Sequence, residues 1–173
     1  MPLHIIIDGY NLIRNSQTLK ELDRRDIQLG REALVDRLAS YRKIKPHRIT
    51  VVFDGISAPA FSSGKETVKG IRIVFSRQGQ TADSVIKKMA RKEREKAVVV
   101  SSDRQIIASA TASRSATLSV EAFEDRLLMA DYAALKGAEE DNGRGWVPTT
   151  KKKGPSKRLS KSKRRNRKKI RKL

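Results

Sequence analysis

The chain has no cysteine among its 173 residues. This excludes a disulfide framework, a thiol nucleophile and a thiolate metal site. Histidine is nearly as scarce, with only two. His4 lies inside an apolar run and His47 follows a proline, so both read as structural or surface residues and no imidazole cluster is available to a metal. No apolar run approaches the roughly 18 residues needed to cross a membrane. Met1-Pro2-Leu3-His4 lacks the positive region and long apolar region of a signal peptide. A soluble, cytoplasmic protein with no membrane partner is expected.

Several phosphate and hydrolase signatures are also missing. Gly64-Lys65 would need Gly at 59 and Ser or Thr at 66 to form a P-loop, and those positions are Pro59 and Glu66. Tyr10 stands where a dehalogenase-like phosphatase would carry its second aspartate. There is no GxGxxG sequence and no nucleophile elbow, so neither a dinucleotide cofactor nor a Ser-His-Asp hydrolase is supported. Acid is absent from the last stretch altogether: residues 146–173 carry 14 Lys or Arg and no Asp or Glu. That leaves 25 basic against 19 acidic residues in 1–145, so most of the formal charge of +20 belongs to a polycationic tail. Such a tail repels itself and calls for an anionic partner, of which nucleic acid is the best match.

Alternating apolar strands and amphipathic helices make up the rest. Residues 3–7, 48–53, 71–75 and 97–101 read as strands, and 116–120 as a short fifth. Helices are expected over about 28–45, 81–95, 103–112 and 121–136, the last with Phe123, Leu127, Leu128 and Tyr132 as its apolar face. Residues 12–26 are ambiguous, 8–11 read as a turn, and 55–70 as a surface loop. This order implies a three-layer α/β/α sandwich around a mainly parallel sheet of four or five strands. The boundaries expected are a folded α/β domain over 1–137, a linker over 138–150 and a disordered basic tail over 151–173. Oligomeric state is not legible.

Within that scheme four aspartates converge. Asp8, Asp54 and Asp103 follow the first, second and fourth strands, and open α/β sheets place their sites at that edge. Asp83 lies in the first turn of the helix capped by Thr81, where the helix dipole favours a negative charge. Taken singly, each has a structural reading as a turn or cap residue, and Asp83 and Asp103 fit that reading best. Taken together, crowded carboxylates repel unless a cation holds them. Oxygen-only donors suit Mg²⁺ or Mn²⁺. Asn11 could bond a phosphate or a carboxylate, or serve only as a turn residue. Ser101 and Ser102 could bond the same group or cap the following helix.

These residues resemble a known family. Ile5-Ile6-Ile7-Asp8-Gly9-Tyr10-Asn11-Leu12, Val51-Val52-Phe53-Asp54-Gly55, Thr81-Ala82-Asp83 and Ser101-Ser102-Asp103 are similar, in order, to the motifs of the NYN domain in its YacP-like branch, among the PIN-like ribonucleases. The resemblance spans about 3–136. It implies a PIN-like fold and Mg²⁺- or Mn²⁺-dependent endonucleolytic cleavage of RNA, and its branch includes a ribosome-associated endoribonuclease that cuts mRNA during translation. By motif, Asp8, Asp83 and Asp103 would hold metal, and Asn11 and Asp54 would complete the catalytic set. The basic tail is not part of those motifs.

Candidate RNA contacts follow from charge. Arg14 could meet the scissile phosphate. Lys87, Lys88 and Arg91 crowd the outer face of the helix that Asp83 opens, and Lys65 with Phe61 could make the 55–70 loop a clamp. In the tail, Lys151, Lys152, Lys153, Arg164, Arg165, Arg167, Lys168 and Lys169 would engage mRNA or ribosomal RNA, with Trp146 free to stack on a base. A solvated surface role is open for each. The alternative to an enzyme is a non-catalytic RNA-binding or ribosome-associated factor on the same scaffold.

Overall fold

The computed structural model describes residues 2–57, 64–137 and 160–173. Strands β1 (His4–Asp8), β2 (Arg48–Phe53), β3 (Lys65–Val68), β4 (Ile71–Phe75), β5 (Ala97–Val100) and β6 (Ala116–Leu118) form one sheet in the order β3-β4-β2-β1-β5-β6. All neighbours are parallel except β3 with β4. The central strands are apolar throughout because both their faces are covered. On one face, Ile6, Val52, Val74 and Val99 pack with Ile86 and Ala90 of α4 (Ala82–Glu93) and Ile106 and Ala110 of α5 (Arg104–Ala112). On the other, Ile5, Ile7, Val51, Phe53 and Val98 pack with α1 (Gly9–Asn15), α2 (Gln17–Arg25), α3 (Ile27–Ile44) and α6 (Val120–Gly137). No helix among the described residues is long and apolar enough to cross a membrane.

The expected sandwich is present, with six strands instead of four or five. The extra strand is β3, inside the stretch expected to be a loop. It turns back through Lys69 and Gly70, both at positive φ (51° and 80°), with Val68 opposite Ile71. Two left-handed residues make the primed hairpin turn that matches strand twist. Lys-Gly carries that turn without the usual Asn-Gly signature. The expected turn at 8–11 is instead the start of α1, with Asp8 as its N-cap.

Two apolar assignments also change. In α6, Phe123 and Leu127 are buried but Leu128 and Tyr132 are exposed, and Val120 and Ala130 complete the buried face. The basic tail departs further from expectation. The linker at 138–150 and Lys151, Lys152 and Lys153 lie outside the described residues, but Lys161–Ile170 form α7, capped by Ser160. Charge repulsion is offset by docking. Arg165 pairs with Glu95 at 2.9 Å, Leu173 is buried in the main core, and Tyr41 Oη donates to the Leu173 carbonyl at 2.8 Å. His47 Nε2 lies 3.1 Å from the Lys172 carbonyl. Burial pushes the Tyr41 phenol up to about 12.

Deleting residues 160–173 is therefore expected to destabilise the body. Burial of one leucine side chain is worth about 1.5–3 kcal/mol, and the Tyr41 bond about 1 kcal/mol. A urea unfolding series read by circular dichroism should show a lower midpoint for the truncated chain, with Tyr41→Phe intermediate. Equal midpoints would mean that α7 does not hold the core closed.

Candidate active site

Register explains the geometry. Ile7 pairs with Val100, so Asp8 comes level with Ser101. Ile6 and Val99 face the α4/α5 layer, and two residues on, strand alternation turns Asp8 and Ser101 to the same side. Ser101 Oγ donates to Asp8 Oδ2 at 3.4 Å and accepts from the Asp103 amide at 3.1 Å. The Asn11 amide donates to Asp8 Oδ1 at 3.3 Å. Each Asp-Gly pair depends on the missing Cβ. A Cβ on Gly9 would stand 2.3 Å from the Phe53 ring, and one on Gly55 would stand 1.8 Å from the Ser76 carbonyl.

Asp83 and Asp103 come within electrostatic reach of Asp8. Burial, and then the charges of Asp83 and Asp103, push the Asp8 carboxyl up to about 6, against the opposing hydrogen bonds from Asn11 and Ser101. Asp103 also keeps its structural role: Oδ1 accepts from the amides of Gln105 (2.7 Å) and Ile106 (3.0 Å), capping α5. The Asp83 side chain is 40% exposed at the start of α4, with Lys87 Nζ at 4.0 Å.

Asp54 has a different partner. Its place in the chain is two residues past Val52, the register partner of Asp8, about 7 Å further along the strand direction. Ser76 Oγ donates to it at 3.0 Å, and the Gly55 amide donates to Ser76 Oγ at 2.9 Å. Asn11 does more than turn the chain. Its Oδ1 accepts from the Ser102 amide at 3.1 Å, tying α1 to the loop before α5.

Sequence reasoning passed over Glu121. Ser102 Oγ donates to its Oε1 at 3.4 Å, and its own backbone amide and the Ser119 hydroxyl hold it below the usual carboxylate range. The rule that selected the aspartates, a carboxylate just past a strand end, would have found it three residues beyond β6. Among the basic candidates, Arg14 is exposed with its guanidinium 5.8 Å from the Tyr10 ring centre. Lys65, Lys88 and Arg91 are exposed, as are Arg164, Arg165, Arg167 and Lys168 on α7, while Lys169 is partly buried. Phe61 and Trp146 lie outside the described residues.

The oxygen-only donor set fits a hard divalent cation. Among the described residues, however, no three His, Cys, Asp or Glu side chains stand close enough to form a cage for one. Mg²⁺ usually keeps several of its waters, and that is the form of ion this looser grouping suits.

Residues 5–172 match the family described as the YacP-like NYN domain. The chain belongs to that family. The match runs through α7, beyond the stretch on which the motifs were recognised. A curated relative, the uncharacterized protein YacP of Bacillus subtilis strain 168, is 30% identical over 86 residues, covering 50% of this chain and 50% of the relative. The aligned stretch is thus about half the length of that relative. Two crystal structures of Rae1 (YacP) from Bacillus subtilis share the fold, which is PIN-like. One has a TM-score of 0.67 at 22% identity, covering 80% of both chains. The other, of a mutant with one tryptophan changed to leucine, has a TM-score of 0.64 at 21% identity, covering 79% of this chain and 80% of the other.

The raised Asp8 carboxyl sets a pH-dependent prediction for this NYN domain. A carboxyl whose folded value is about 6 against 3.8 unfolded favours folding below the unfolded value, and that advantage is lost as pH rises through 6. Asp8→Asn keeps a capping side chain and removes the charge. In EDTA the variant should be more stable than wild type at pH 7.5, by no more than about 3 kcal/mol, with the difference vanishing below about pH 3. Urea titrations at three pH values measure this, and a pH-independent difference would contradict the assigned cause.

Proposed function

We propose that this chain is a metal-dependent endoribonuclease of the cytoplasm, acting on mRNA or ribosomal RNA in association with the ribosome. The observation that carries the reading is the juxtaposition of Asp8 with Asp83 and Asp103 at the carboxyl ends of the central strands, in a family of PIN-like nuclease type. A buried carboxylate whose proton affinity is raised by two neighbouring carboxylates is a poor arrangement for an apo protein and a good one for a site that receives positive charge. It would be equally poor for a pure RNA binder, since it repels phosphate.

The residues divide the work. Asp8, Asp83 and Asp103 would hold Mg²⁺ or Mn²⁺, which when bound lowers the pKa of water and stabilises charge on phosphate oxygens. Ser101 fixes the orientation of Asp8 and, through the Asp103 amide, the start of α5. Asn11 locks that loop against α1. Asp54, held by Ser76, lines the approach from the β4 side. Lys87, Lys88 and Arg91 lie along the helix opened by Asp83 and would guide the phosphate backbone.

A cleavage assay on RNA across a Mg²⁺ and Mn²⁺ series tests this. Asp8→Asn should retain the fold and lose cleavage by about two or more orders of magnitude. Wild-type rates in Asp8→Asn would overturn the assignment of the site, and no cleavage by wild type at any metal concentration would favour the non-catalytic RNA-binding reading.

The cations on α7 should supply affinity and not chemistry. Arg165 reaches Glu95, just ahead of β5, and Lys172 reaches His47, just ahead of β2. The helix therefore sits at the amino ends of the strands, opposite the carboxylates. Replacing the exposed Arg164, Arg167 and Lys168 with Gln leaves the Glu95 pair intact. If all three meet single-stranded phosphates, the log–log salt slope of RNA binding should flatten by roughly 2 units, with cleavage at saturating RNA unchanged. An unaltered slope would remove α7 from RNA recognition.

A further inference from the structure

Between α3 and the β3–β4 hairpin lies a cavity of about 320 Å³, at the small end of the range for ligand sites. Val35, Phe53, Ile73 and Phe75 supply apolar lining, and Arg31, Glu32, Asp36, Glu66 and Lys69 its charge. Arg31 is only 6% exposed. Its guanidinium lies 5.5 Å from the Phe75 ring centre and 6.0 Å from that of Phe53. Nε donates to the Ile27 carbonyl at 3.3 Å, but Nη1 is buried without a hydrogen-bond partner. Among the described residues Arg31 forms no ion pair. A buried cation with neither counter-charge nor full hydrogen bonding is costly.

An acid in the same cavity is also unengaged. The Glu66 carboxylate has no hydrogen-bond or ion-pair partner among the described residues. The other two acids at the cavity are occupied: Glu32 accepts from Gln28 Nε2 at 2.9 Å, and Asp36 pairs with Lys69. A structural arginine would be expected to use Glu66. Here donor and acceptor line one cavity, floored by Phe53 and Phe75, without meeting.

A planar group with acceptors on one edge and donors on another would satisfy both. Among the RNA bases guanine is the one with O6 and N7 for a guanidinium and N1–H with N2–H₂ for a carboxylate. The location suits a strand engaged at the carboxylates. The Phe53 ring borders the cavity, lies against Gly9, the residue after Asp8, and precedes Asp54. The cavity and the carboxylates are thus on opposite faces of one sheet edge.

We propose that this cavity is a base-recognition subsite that takes a guanine of the bound RNA between Arg31 and Glu66. The proposal rests on the RNA-acting reading above.

The test is isothermal titration of the full chain with GMP, IMP, AMP, CMP, UMP and inorganic phosphate. GMP should bind at least tenfold more tightly than AMP, CMP, UMP or phosphate. IMP, which lacks the N2 amino group, should fall between. Glu66→Gln alters an exposed, unpartnered side chain, so the fold should hold while the GMP preference drops below twofold. Arg31→Met should abolish the preference too, and if that variant does not fold, Glu66→Gln decides alone. Equal binding of the four RNA mononucleotides, phosphate binding as tight as GMP, or an unchanged preference in Glu66→Gln would overturn the subsite. Binding is read without cleavage, so the two readings fail separately. RNA cleavage without selective GMP binding removes the subsite and keeps the nuclease. Selective GMP binding in a chain that cleaves no RNA keeps the subsite and removes the nuclease.

Discussion

Parallel pairing of β1 between β2 and β5 is the constraint from which the rest follows. Strands that are apolar on both faces can be buried only side by side between two helical layers. Once His4 is in register with Arg48 and with Ala97, the carboxyl end of β1 is level with the end of β5. Asp8 then has no freedom to avoid Ser101 or the helix start that follows it. The like charges are brought together by hydrophobic pairing some distance away, and the core covers the electrostatic cost.

That cost is local and directional. The groups that relieve it are hydrogen bonds at 3.3 and 3.4 Å, long for bonds to a carboxylate. Asp103, by contrast, has one oxygen satisfied at cap distances of 2.7 and 3.0 Å. The structural and functional readings of these aspartates are therefore compatible. Asp103 caps a helix with Oδ1 and still presents its charge to Asp8. Asp8 caps α1 weakly and bears the strain of its neighbours.

Legibility in the sequence followed the strength of the local signal. Four apolar runs identified β1, β2, β4 and β5, and the helix starts at Thr81 and Asp103 were visible from their caps. The electrostatic reach of Asp83 and Asp103 to Asp8 accords with placing Asp8 and Asp103 after parallel strands and Asp83 at the start of a helix. The β3 edge was hidden because its turn is Lys69-Gly70 and its residues are exposed, leaving no hydrophobic alternation. Docking of α7 was hidden because a stretch of nearly uniform charge concealed two apolar residues, Ile170 and Leu173, whose neighbourhood is tied to Tyr41 and His47, over 120 positions away. The hydroxyl of Ser76 on Asp54 and the approach of Glu121 through Ser102 are tertiary contacts between side chains, which no local pattern encodes.

The placement of α7 gives the body a polarity. Positive charge gathers at the amino ends of the strands, where α7 docks, while the aspartates gather at the carboxyl ends. Such a separation is an electric dipole running along the sheet. In the field of a polyanion it experiences a torque before any contact forms. The molecule would turn its helical cations toward the phosphates and its carboxylates away. Arrival in that attitude leaves the acidic edge facing outward.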